Sequence, residues 1–418
     1  MMKKTCAKLF STALYMFSWV TYLMYISDVF YGIPGYYFEN LSYYRVILIM
    51  PLILAISFFL DHEVKDISDL ILLGSIYIVL FPLIYLSFPD LILSIIVAIG
   101  TLFIIILDRL LKSVSFTKRR KVLSFVKYKH WKFFLLIMMF VILFWKFIGF
   151  KLSLNYEFSL YEIRSEFKKS FSGLSVYVLI LSEYFIIPLC IYSFFKVNRT
   201  IFKILFLVIG FLFTIQVFLN SAIKSSLFII PFLILGYLFF KKRKSFNFSN
   251  FLFISSLLLI LFIHINMGNI IGYLVNHSLR RFIISPPVNA YYHFLYTIEY
   301  YGWINIGNRK DMGNLISRAY YCTDGNAPSG LLADAFSRFG TLGLLIFPYV
   351  FSIFLTVLRG LTKNLELSEQ FVLFGYYIYV LSNTSFLTSQ ITYGLLWMIL
   401  TVYFLNKKFI VNSRYSND

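Results

Sequence analysis

The sequence predicts an all-α polytopic membrane protein. Of its 418 residues, 60% are hydrophobic and only 14% are charged, and the mean hydropathy is +0.79. A soluble domain is about half apolar and about a quarter charged. A membrane-spanning helix needs roughly 20 mainly apolar residues, and the chain offers about a dozen such blocks. We therefore expect a single integral membrane domain over residues 1–418 with about 12 transmembrane helices.

The expected helices follow the apolar blocks in chain order. The block at about 9–29 is longer than the core of a signal peptide and lacks a small-residue cleavage site, so we interpret it as the first helix. The other blocks lie at about 44–60, 70–86, 91–107, 133–150, 174–195, 202–219, 226–240, 251–267, 342–358, 371–387 and 391–405. Tight hairpins are expected at Ser87–Asp90 and near Ser389, where Pro89 or polar residues interrupt the apolar run.

The formal charge of +19 is explained by membrane topology rather than by nucleic-acid binding. With a cytoplasmic amino terminus and alternating sides, the inner loops hold about twice as many Lys and Arg residues as the outer loops. That excess is what the positive-inside rule requires. We expect both termini in the cytoplasm and one large outer loop at 269–339, between helices 9 and 10. A smaller outer loop spans 151–173.

The smaller outer regions carry two candidate anion contacts. Residues 151–173 include Arg164 beside Glu162, Glu166 and Lys168, a pattern typical of a solvated loop helix or of an anion-binding arginine. Lys224 stands in a short turn between two apolar blocks. Its ammonium group either snorkels to the membrane interface or contacts a phosphate there.

The large outer segment is the longest polar stretch of the chain, with five arginines and two histidines. Arg280 and Arg281 precede Pro286 and Pro287, which should break any helix and restart the chain. If the next run is helical, its tyrosines form a stripe that serves either interface packing or sugar binding. The stripe consists of Tyr292, Tyr296 and Tyr300, at i, i+4 and i+8 on one face.

Three further features of this segment offer acid–base or anion chemistry. His293 and His277 are each either a structural hydrogen bonder or a general base, because imidazole titrates near neutrality. Pro328 suits an early position of a helix that brings Asp334 and Arg338 to i,i+4 spacing. That pair is either a plain ion pair or an anion-binding arginine with a carboxylate that orients it or takes a proton.

Several catalytic motifs are missing from the sequence. It has no Walker-type phosphate loop, no HExxH, no GxSxG and no paired carboxylates spaced to hold a metal for a nucleotide sugar. Cys6, Cys190 and Cys322 provide neither a disulfide framework nor a zinc site. The outer segments are instead rich in arginine and aromatic side chains, which we expect at a lipid surface. Arginines suit diphosphate binding, and aromatic rings suit stacking on carbohydrate. We expect no metal and no cofactor.

The chain resembles the Wzy-type polymerases that join O-antigen and capsular polysaccharide repeat units in bacteria. The resemblance lies in the layout, with about a dozen helices and one large external loop late in the chain. It also lies in short segments: YEIRSEF, the turn with Lys224, RRFIISPPVNAYYHF and NAPSGLLADAFSRFGTLGLLI.

The resemblance implies a metal-independent glycosyltransferase of the bacterial inner membrane. It would transfer a growing glycan from undecaprenyl diphosphate to the terminal sugar of an incoming undecaprenyl-diphosphate-linked repeat unit, at the periplasmic face. A chain-length regulator and a flippase are the expected protein partners, and membrane lipid surrounds the chain.

Candidate residues for this reaction fall into three groups. Diphosphate ligands are Arg280, Arg281, Arg318, Arg338, Arg164 and Lys224. Candidates for the base are Asp334, His293 and Glu299. Sugar-contacting side chains are Tyr291, Tyr292 and Tyr296. Fixed cations would stabilise the departing diphosphate, whose negative charge develops in the transition state.

Two other functions compete with this interpretation. An O-antigen ligase shares the lipid-diphosphate donor and a large external loop. A lipid-linked oligosaccharide flippase also has about twelve helices, but transporters keep charged sites near the bilayer midplane, often in paired repeats. Apart from Glu183 and Lys146, the predicted spans carry almost no charge at that depth.

Overall fold

A computed structural model of the protein describes residues 2–29, 35, 41–113, 130–151, 173–221, 226–264, 279–304, 312–323 and 327–414. Within these ranges the chain is nearly all helical, as the composition predicts. Two short strands, β1 (Glu63–Val64) and β2 (Phe246–Asn247), pair in antiparallel register. Helices satisfy their own backbone hydrogen bonds, which a bilayer demands of any segment that crosses it.

The helices alternate with short connections along most of the chain. In order they are α1 (Met2–Val29), α2 (Tyr43–Phe59), α3 (Ile67–Leu86), α4 (Leu91–Ser113), α5 (His130–Phe147), α6 (Leu174–Lys196), α7 (Thr200–Ser221), α8 (Ser226–Phe240), α9 (Phe248–Ile263), α10 (Ser285–Tyr301), α11 (Met312–Tyr321), α12 (Leu331–Phe339), α13 (Thr341–Thr362), α14 (Leu367–Phe374), α15 (Tyr377–Asn383), α16 (Phe386–Ile391) and α17 (Leu395–Arg414).

Six described helices are long and apolar enough to cross a membrane: α1, α3, α4, α6, α7 and α13. Five shorter apolar helices lie at Tyr43–Phe59, Phe134–Phe147, Ser226–Phe240, Phe248–Ile263 and Leu395–Phe404. Together these helices coincide with all of the predicted apolar blocks except the one at 371–387. The membrane character of the chain therefore rests on helices that the structure describes.

The block expected as one helix at 371–387 is divided among three short helices, α14, α15 and α16. The first break falls at Gly375, where a Cβ atom would lie 2.6 Å from the carbonyl oxygen of Phe371. The hairpin expected near Ser389 turns instead at residues 392–394, where Gly394 has φ +77°. The hairpin predicted at Ser87–Asp90 is confirmed, and Asp90 Oδ1 accepts the N–H of Leu93 at 3.1 Å.

Three helical turns are wider than an α-helix and have the i→i+5 pattern of a π-helix: Ile76–Leu80, Ser182–Ile186 and Arg280–Ile284. Each of them ends two residues before a proline, namely Pro82, Pro188 or Pro286. Proline has no N–H and its ring clashes with the carbonyl four residues earlier, so a register shift of one residue relieves the conflict. The break expected at Pro286 is therefore wrong, because the chain passes through a wide turn directly into α10.

Side chains from other helices donate to carbonyls that lose their usual helical donor to a proline. Ile283 lies four residues before Pro287, and its carbonyl accepts the indole N–H of Trp19 at 3.2 Å. Tyr184 lies four residues before Pro188, and its carbonyl accepts the hydroxyl of Tyr377 at 3.0 Å. A buried carbonyl without a donor destabilises a fold, so Trp19 and Tyr377 stabilise these two turns.

The helices form two compact units. Unit 1 comprises residues 1–116, 245–357 and 378–386. In it α1 packs on α9 and α2, while α10 packs on α12 and on the Phe81–Leu86 part of α3. The described residues of the polar segment at 269–339 all belong to this unit.

One end of unit 1, which we call the basic end, holds Lys8, Lys65, Arg109 and Lys112. Lys8 Nζ donates to the carbonyl of Leu60 at 2.9 Å, beyond the C-terminus of α2. Lys112 pairs with the buried Asp69 at 2.7 Å. The buried imidazole of His62 bonds Ser249 Oγ at 2.7 Å and the Tyr77 hydroxyl at 2.9 Å, which joins α3, α9 and the loop after α2.

Unit 2 comprises residues 117–244, 358–377 and 387–418. Helices α6, α7, α8 and α14 pack together in it. Lys196 of α6 forms an ion pair with the buried Glu369 of α14. Glu183 is fully buried in the wide turn of α6, beside Tyr184, whose ring contacts Tyr393 at 5.0 Å between centroids.

Candidate functional site

The described parts of the polar segment gather at the end of unit 1 opposite Lys8, which we call the site end. The Tyr292 hydroxyl donates to the carbonyl of Gly35, six residues beyond the end of α1, at 3.2 Å. Gly35 has φ +84°, and a Cβ atom there would lie 2.2 Å from the ring of Tyr321. Only glycine fits this close approach. Gly35, which lies between α1 and α2, therefore packs directly against α10 and α11.

Ala327 joins three elements of the polar segment through its backbone. Its N–H donates to the carbonyl of Gly313 in α11 at 2.9 Å, and its carbonyl accepts Nε2 of His293 in α10 at 3.0 Å. Three residues later the chain enters α12 through Gly330, whose φ of +69° is a conformation that glycine adopts readily. These bonds fix the start of α12 relative to α10 and α11.

Asp334 and Arg338 form the ion pair that the i,i+4 spacing predicts. Arg338 Nε donates to Asp334 Oδ1 at 3.0 Å. The Arg338 side chain is 34% exposed and the Asp334 side chain is 13% exposed. Ser329 Oγ donates to the same carboxylate oxygen at 3.4 Å. Burial raises the pKa of Asp334, while the Arg338 charge and the two hydrogen bonds oppose that rise. The carboxylate is thus more basic than an exposed one. Pro328, expected early in this helix, instead lies ahead of Gly330 and Leu331, where α12 begins.

His293 occupies a structural position in this conformation rather than an open catalytic one. The side chain is buried and its Nε2 donates to Ala327, so the imidazole is held in one tautomer. Nδ1 is buried without a hydrogen bond. Burial, together with the charge of Arg338, lowers the pKa of His293 to about 4, although the Ala327 carbonyl favours the protonated form. Burial and the hydrogen bond to Ala327 favour the structural alternative for His293, because no face of the ring is open in this conformation, and its role as a base stays a prediction.

Four of the five arginines expected as diphosphate ligands lie in the described residues, and they differ in exposure. Arg280 is buried in the wide turn before α10, whereas its neighbour Arg281 is exposed. Arg318 on α11 is exposed, and Arg338 is partly exposed. Arg281, Arg318 and Arg338 are thus accessible to an anion, while Arg280 is mostly enclosed by protein. Arg164, Lys224 and His277 lie outside the described residues.

Tyrosines of α10 and α11 form a ladder of ring contacts. Tyr292 stacks on Tyr320 with centroids 4.4 Å apart, Tyr320 meets the edge of Tyr296 at 6.5 Å, and Tyr296 stacks on Tyr300 at 4.4 Å. Tyr292 is only 7% exposed and Tyr300 is 59% exposed. The ladder therefore runs from the protein interior to an open ring, which a sugar face can contact. The helix and stripe expected from the sequence are confirmed, but Tyr292 itself serves packing.

Tyr291 and Glu299 lie on other faces of α10. Tyr291 is partly buried, and burial raises the pKa of its phenol, with Arg45 lowering it and Asp90 raising it further. Glu299 is exposed at the last turn of the helix. Its negative charge and, above all, burial raise the pKa of Tyr320 to about 12. Glu299 and Asp334 are both reachable from solvent, and among the described residues only Asp334 has hydrogen-bond partners for its side chain.

Sequence reasoning missed several residues that build this site. Tyr320 is a member of the ring ladder, and the Tyr321 hydroxyl donates to Asn289 Oδ1 at 2.5 Å. Gly35 and Ala327 act through their backbones, which no motif reveals. The adjacent tyrosines at 320 and 321 in the polar segment were the one available signal. Compared with protein-family models, with curated proteins and with solved structures, the chain matches none of them.

Proposed function

We propose that this protein polymerises lipid-linked oligosaccharide repeat units at the outer face of the bacterial inner membrane. It would transfer the growing glycan from undecaprenyl diphosphate to the non-reducing-end sugar of an incoming undecaprenyl-diphosphate-linked repeat unit. The resemblance of the sequence to Wzy-type polymerases motivates the proposal. The local chemistry of the site end supports it.

The proposal includes a topology of twelve spans, with both termini cytoplasmic and the segment 269–339 periplasmic. The charge of the whole sequence supports this orientation, because the predicted inner loops hold about twice as many Lys and Arg residues as the outer loops, and positive loops favour the cytoplasm. The basic end of unit 1, which holds Lys8, Lys65, Arg109 and Lys112, would then face the cytoplasm. The arginines of the site end then lie on the side that topology alone disfavours, which argues for a functional reason to keep them there.

The single observation that carries the proposal is the combination found on α10, α11 and α12. Exposed guanidinium groups, an ordered carboxylate and an open tyrosine ring occur together at one end of an otherwise apolar unit. Guanidinium groups bind phosphate oxygens with paired hydrogen bonds. Aromatic rings present flat apolar faces to sugars. A reaction between a lipid diphosphate and a glycan at the membrane surface uses both kinds of group.

In the proposed step the acceptor hydroxyl forms a bond to the anomeric carbon of the donor glycan. The bond from that carbon to the diphosphate oxygen breaks, and undecaprenyl diphosphate departs with the bonding electrons. Arg281, Arg318 and Arg338 are the accessible cations that would stabilise the charge on the leaving group, with Arg164 and Lys224 as further candidates. Asp334 would accept the proton of the acceptor hydroxyl, and its raised pKa makes it a stronger base.

No metal or cofactor enters the proposed reaction, and the glycan chain length would be set together with a separate regulator protein. A flippase would deliver the repeat units to the periplasmic side. Tyr291, Tyr296 and Tyr300 are the ladder and flank residues through which a sugar would contact α10.

Chromosomal deletion of the coding sequence, followed by gel analysis of surface polysaccharide, tests the proposal. Loss of the ladder with retention of a single-repeat band is the expected result. Loss of every band would refute polymerisation in favour of flipping or ligation. Purified protein incubated with the lipid-linked repeat unit alone should extend the glycan, and a requirement for a lipid A core acceptor would indicate a ligase instead.

A further inference from the structure

Arg45 lies in the first turn of α2, outside the segment that the sequence singles out. Its side chain is partly buried, and it makes no hydrogen bond or ion pair with another residue in the part of the chain that the structure describes. Removing a charge from water is costly, and fully buried arginines are almost always paired. A guanidinium group held in this way is suited to an external anion.

The position of Arg45 is unfavourable for the helix that carries it. A cation in the first turn of a helix opposes the positive end of the helix dipole and costs roughly 0.3–1 kcal/mol. The first turn of α2 contains no acidic residue that would offset that cost. An anion bound by Arg45 would reverse the sign of this interaction.

Hydrogen bonds and packing tie Arg45 to the candidate site. Ser42 Oγ accepts the backbone N–H of Arg45 at 3.4 Å, and the Ser42 carbonyl accepts the hydroxyl of Tyr85 at 3.3 Å. The ring of Tyr85 meets the ring of Trp19 edge to face, with centroids 6.1 Å apart. Trp19 in turn donates to Ile283, two residues beyond Arg281. The first turn of α2 is therefore linked to the wide turn that carries the exposed arginine.

In the described part of the chain, the residues near Arg45 include two phenols, those of Tyr85 and Tyr291. The field of Arg45 reaches the partly buried phenol of Tyr291 and lowers the pKa there, against the larger effect of burial. Asp90 is the carboxylate whose charge also reaches Tyr291, and it accepts the N–H of Leu93 as the cap of α4. Tyr43 and Tyr44, which are 43% and 68% exposed, are residues typical of the membrane interface.

We propose that Arg45 binds a phosphate group at the membrane surface, as a cationic subsite that the first helical pair contributes beside α10. The phosphate would come either from a polyprenyl diphosphate or from a bilayer phospholipid. The first source rests on the proposed function, whereas the second does not.

Binding measurements on the purified full-length protein in detergent, after removal of lipid, test this proposal and distinguish the sources. Undecaprenyl diphosphate is added in one arm and phosphatidylglycerol in the other, and the bound fraction is measured by native mass spectrometry. Arg45→Gln should raise the Kd for at least one of them about tenfold, the effect of losing a charged hydrogen-bond donor. Arg45→Lys keeps the charge but loses the paired donors, so its Kd should lie between the values for Arg45→Gln and the wild type.

Arg109→Gln is the matched control, since it removes one exposed arginine from the basic end of unit 1 and should leave both Kd values unchanged. A loss confined to undecaprenyl diphosphate supports the carrier as ligand, and an equal loss in both arms supports bilayer phosphate. Unchanged binding in both arms would overturn the subsite. Thermal unfolding of each variant separates lost binding from lost folding, and Arg45→Lys provides the answer if Arg45→Gln does not fold. Binding without chain growth would refute the proposed function but leave the subsite standing.

Discussion

The indole N–H of Trp19 donates to the carbonyl of Ile283 at 3.2 Å, in the position where Pro287 removes the usual helical donor. This bond joins α1 to the turn that carries Arg280 and Arg281. It also helps to explain why the helix continues through two consecutive prolines without a break. The hydrogen bond that Pro287 removes is thus replaced by one from a side chain more than 260 residues away in the sequence.

Trp19→Phe should lower the free energy of unfolding by about 1–3 kcal/mol through the lost donor, in addition to the lost packing of the larger ring. Pro287→Ala restores a backbone N–H four residues after Ile283 and should recover the hydrogen-bond part of that loss. Thermal or denaturant unfolding of the two single variants and the double variant measures the coupling. If Trp19→Phe costs the same with and without Pro287, the hydrogen bond does not stabilise the turn.

Unit 2 offers an independent version of the same experiment. Tyr377→Phe removes the hydroxyl that donates to Tyr184 at 3.0 Å and to Tyr393 at 3.1 Å. Pro188→Ala should recover the part of the loss that belongs to the Tyr184 carbonyl, and the contact with Tyr393 should remain lost. Partial rather than complete rescue is therefore the expected pattern in this unit.

His293 should make the stability of the protein depend on pH. Its folded pKa of about 4 lies below its ordinary value of 6.5, so the unfolded chain binds the extra proton. The stability that the neutral imidazole contributes is full above pH 6.5 and is lost as the pH falls toward 4. The loss amounts to roughly 3 kcal/mol at most.

His293→Gln keeps an N–H that can reach the Ala327 carbonyl but does not titrate. Its unfolding free energy should therefore decline less between pH 6.5 and 4 than that of the wild type. Burial also lowers the pKa of His62, to about 3. The stability that His62 loses at low pH is the same in both proteins and cancels in the difference. His293→Phe should be less stable than His293→Gln at pH 7, because it leaves the Ala327 carbonyl without its donor. Identical pH profiles for wild type and His293→Gln would contradict the assignment.

The sequence predicts what depends on local spacing and on apolar periodicity. The positions of most helices, the ion pair of Asp334 with Arg338 and the tyrosine stripe on α10 all follow from spacing along the chain. It does not predict contacts between distant segments. The opposite exposure of Arg280 and Arg281 depends on how the wide turn packs in the fold, and the burial of His293 depends on how α10 meets Ala327 and α12. No local pattern encodes either arrangement.

Arg280 and Arg281 should respond differently to the same substitution. Arg281→Gln removes an exposed cation and should leave the unfolding midpoint nearly unchanged, while polymer formation falls if Arg281 binds the diphosphate. Arg280→Gln removes a buried cation and should destabilise the protein. Gel analysis of the polysaccharide and thermal unfolding of the purified variants test the two outcomes. Normal polymer from both Arg281→Gln and Arg338→Gln would refute their catalytic role.

The tyrosine ladder allows packing to be separated from sugar binding. Tyr292→Ala removes a ring that is 7% exposed and stacks on Tyr320, so it should cost about 3–5 kcal/mol of stability. Tyr300→Ala removes a ring that is 59% exposed and should change stability by about 0.5 kcal/mol or less. If Tyr300 contacts the acceptor glycan, its variant should raise KM for the repeat unit without a matching loss in kcat. A KM equal to that of the wild type would remove Tyr300 from the sugar site.

Asp334 and Glu299 are the two carboxylates that solvent reaches in the described part of the site, and they allow a matched test of the proposed base. Asp334→Asn should lower chain growth on a lipid-linked repeat unit by about 10²–10⁴-fold, the usual contribution of a general base. Glu299→Gln makes the same chemical change at an exposed position without ordered partners and should change the rate by a few-fold at most. Burial raises the pKa of Asp334, so the wild-type rate should fall on the acid side at a higher pH than an exposed aspartate would cause. A larger loss of rate in Glu299→Gln than in Asp334→Asn would make Glu299 the base instead. The hydrogen bonds from Ser329 and Arg338 to Asp334 would then only hold the start of α12 in place.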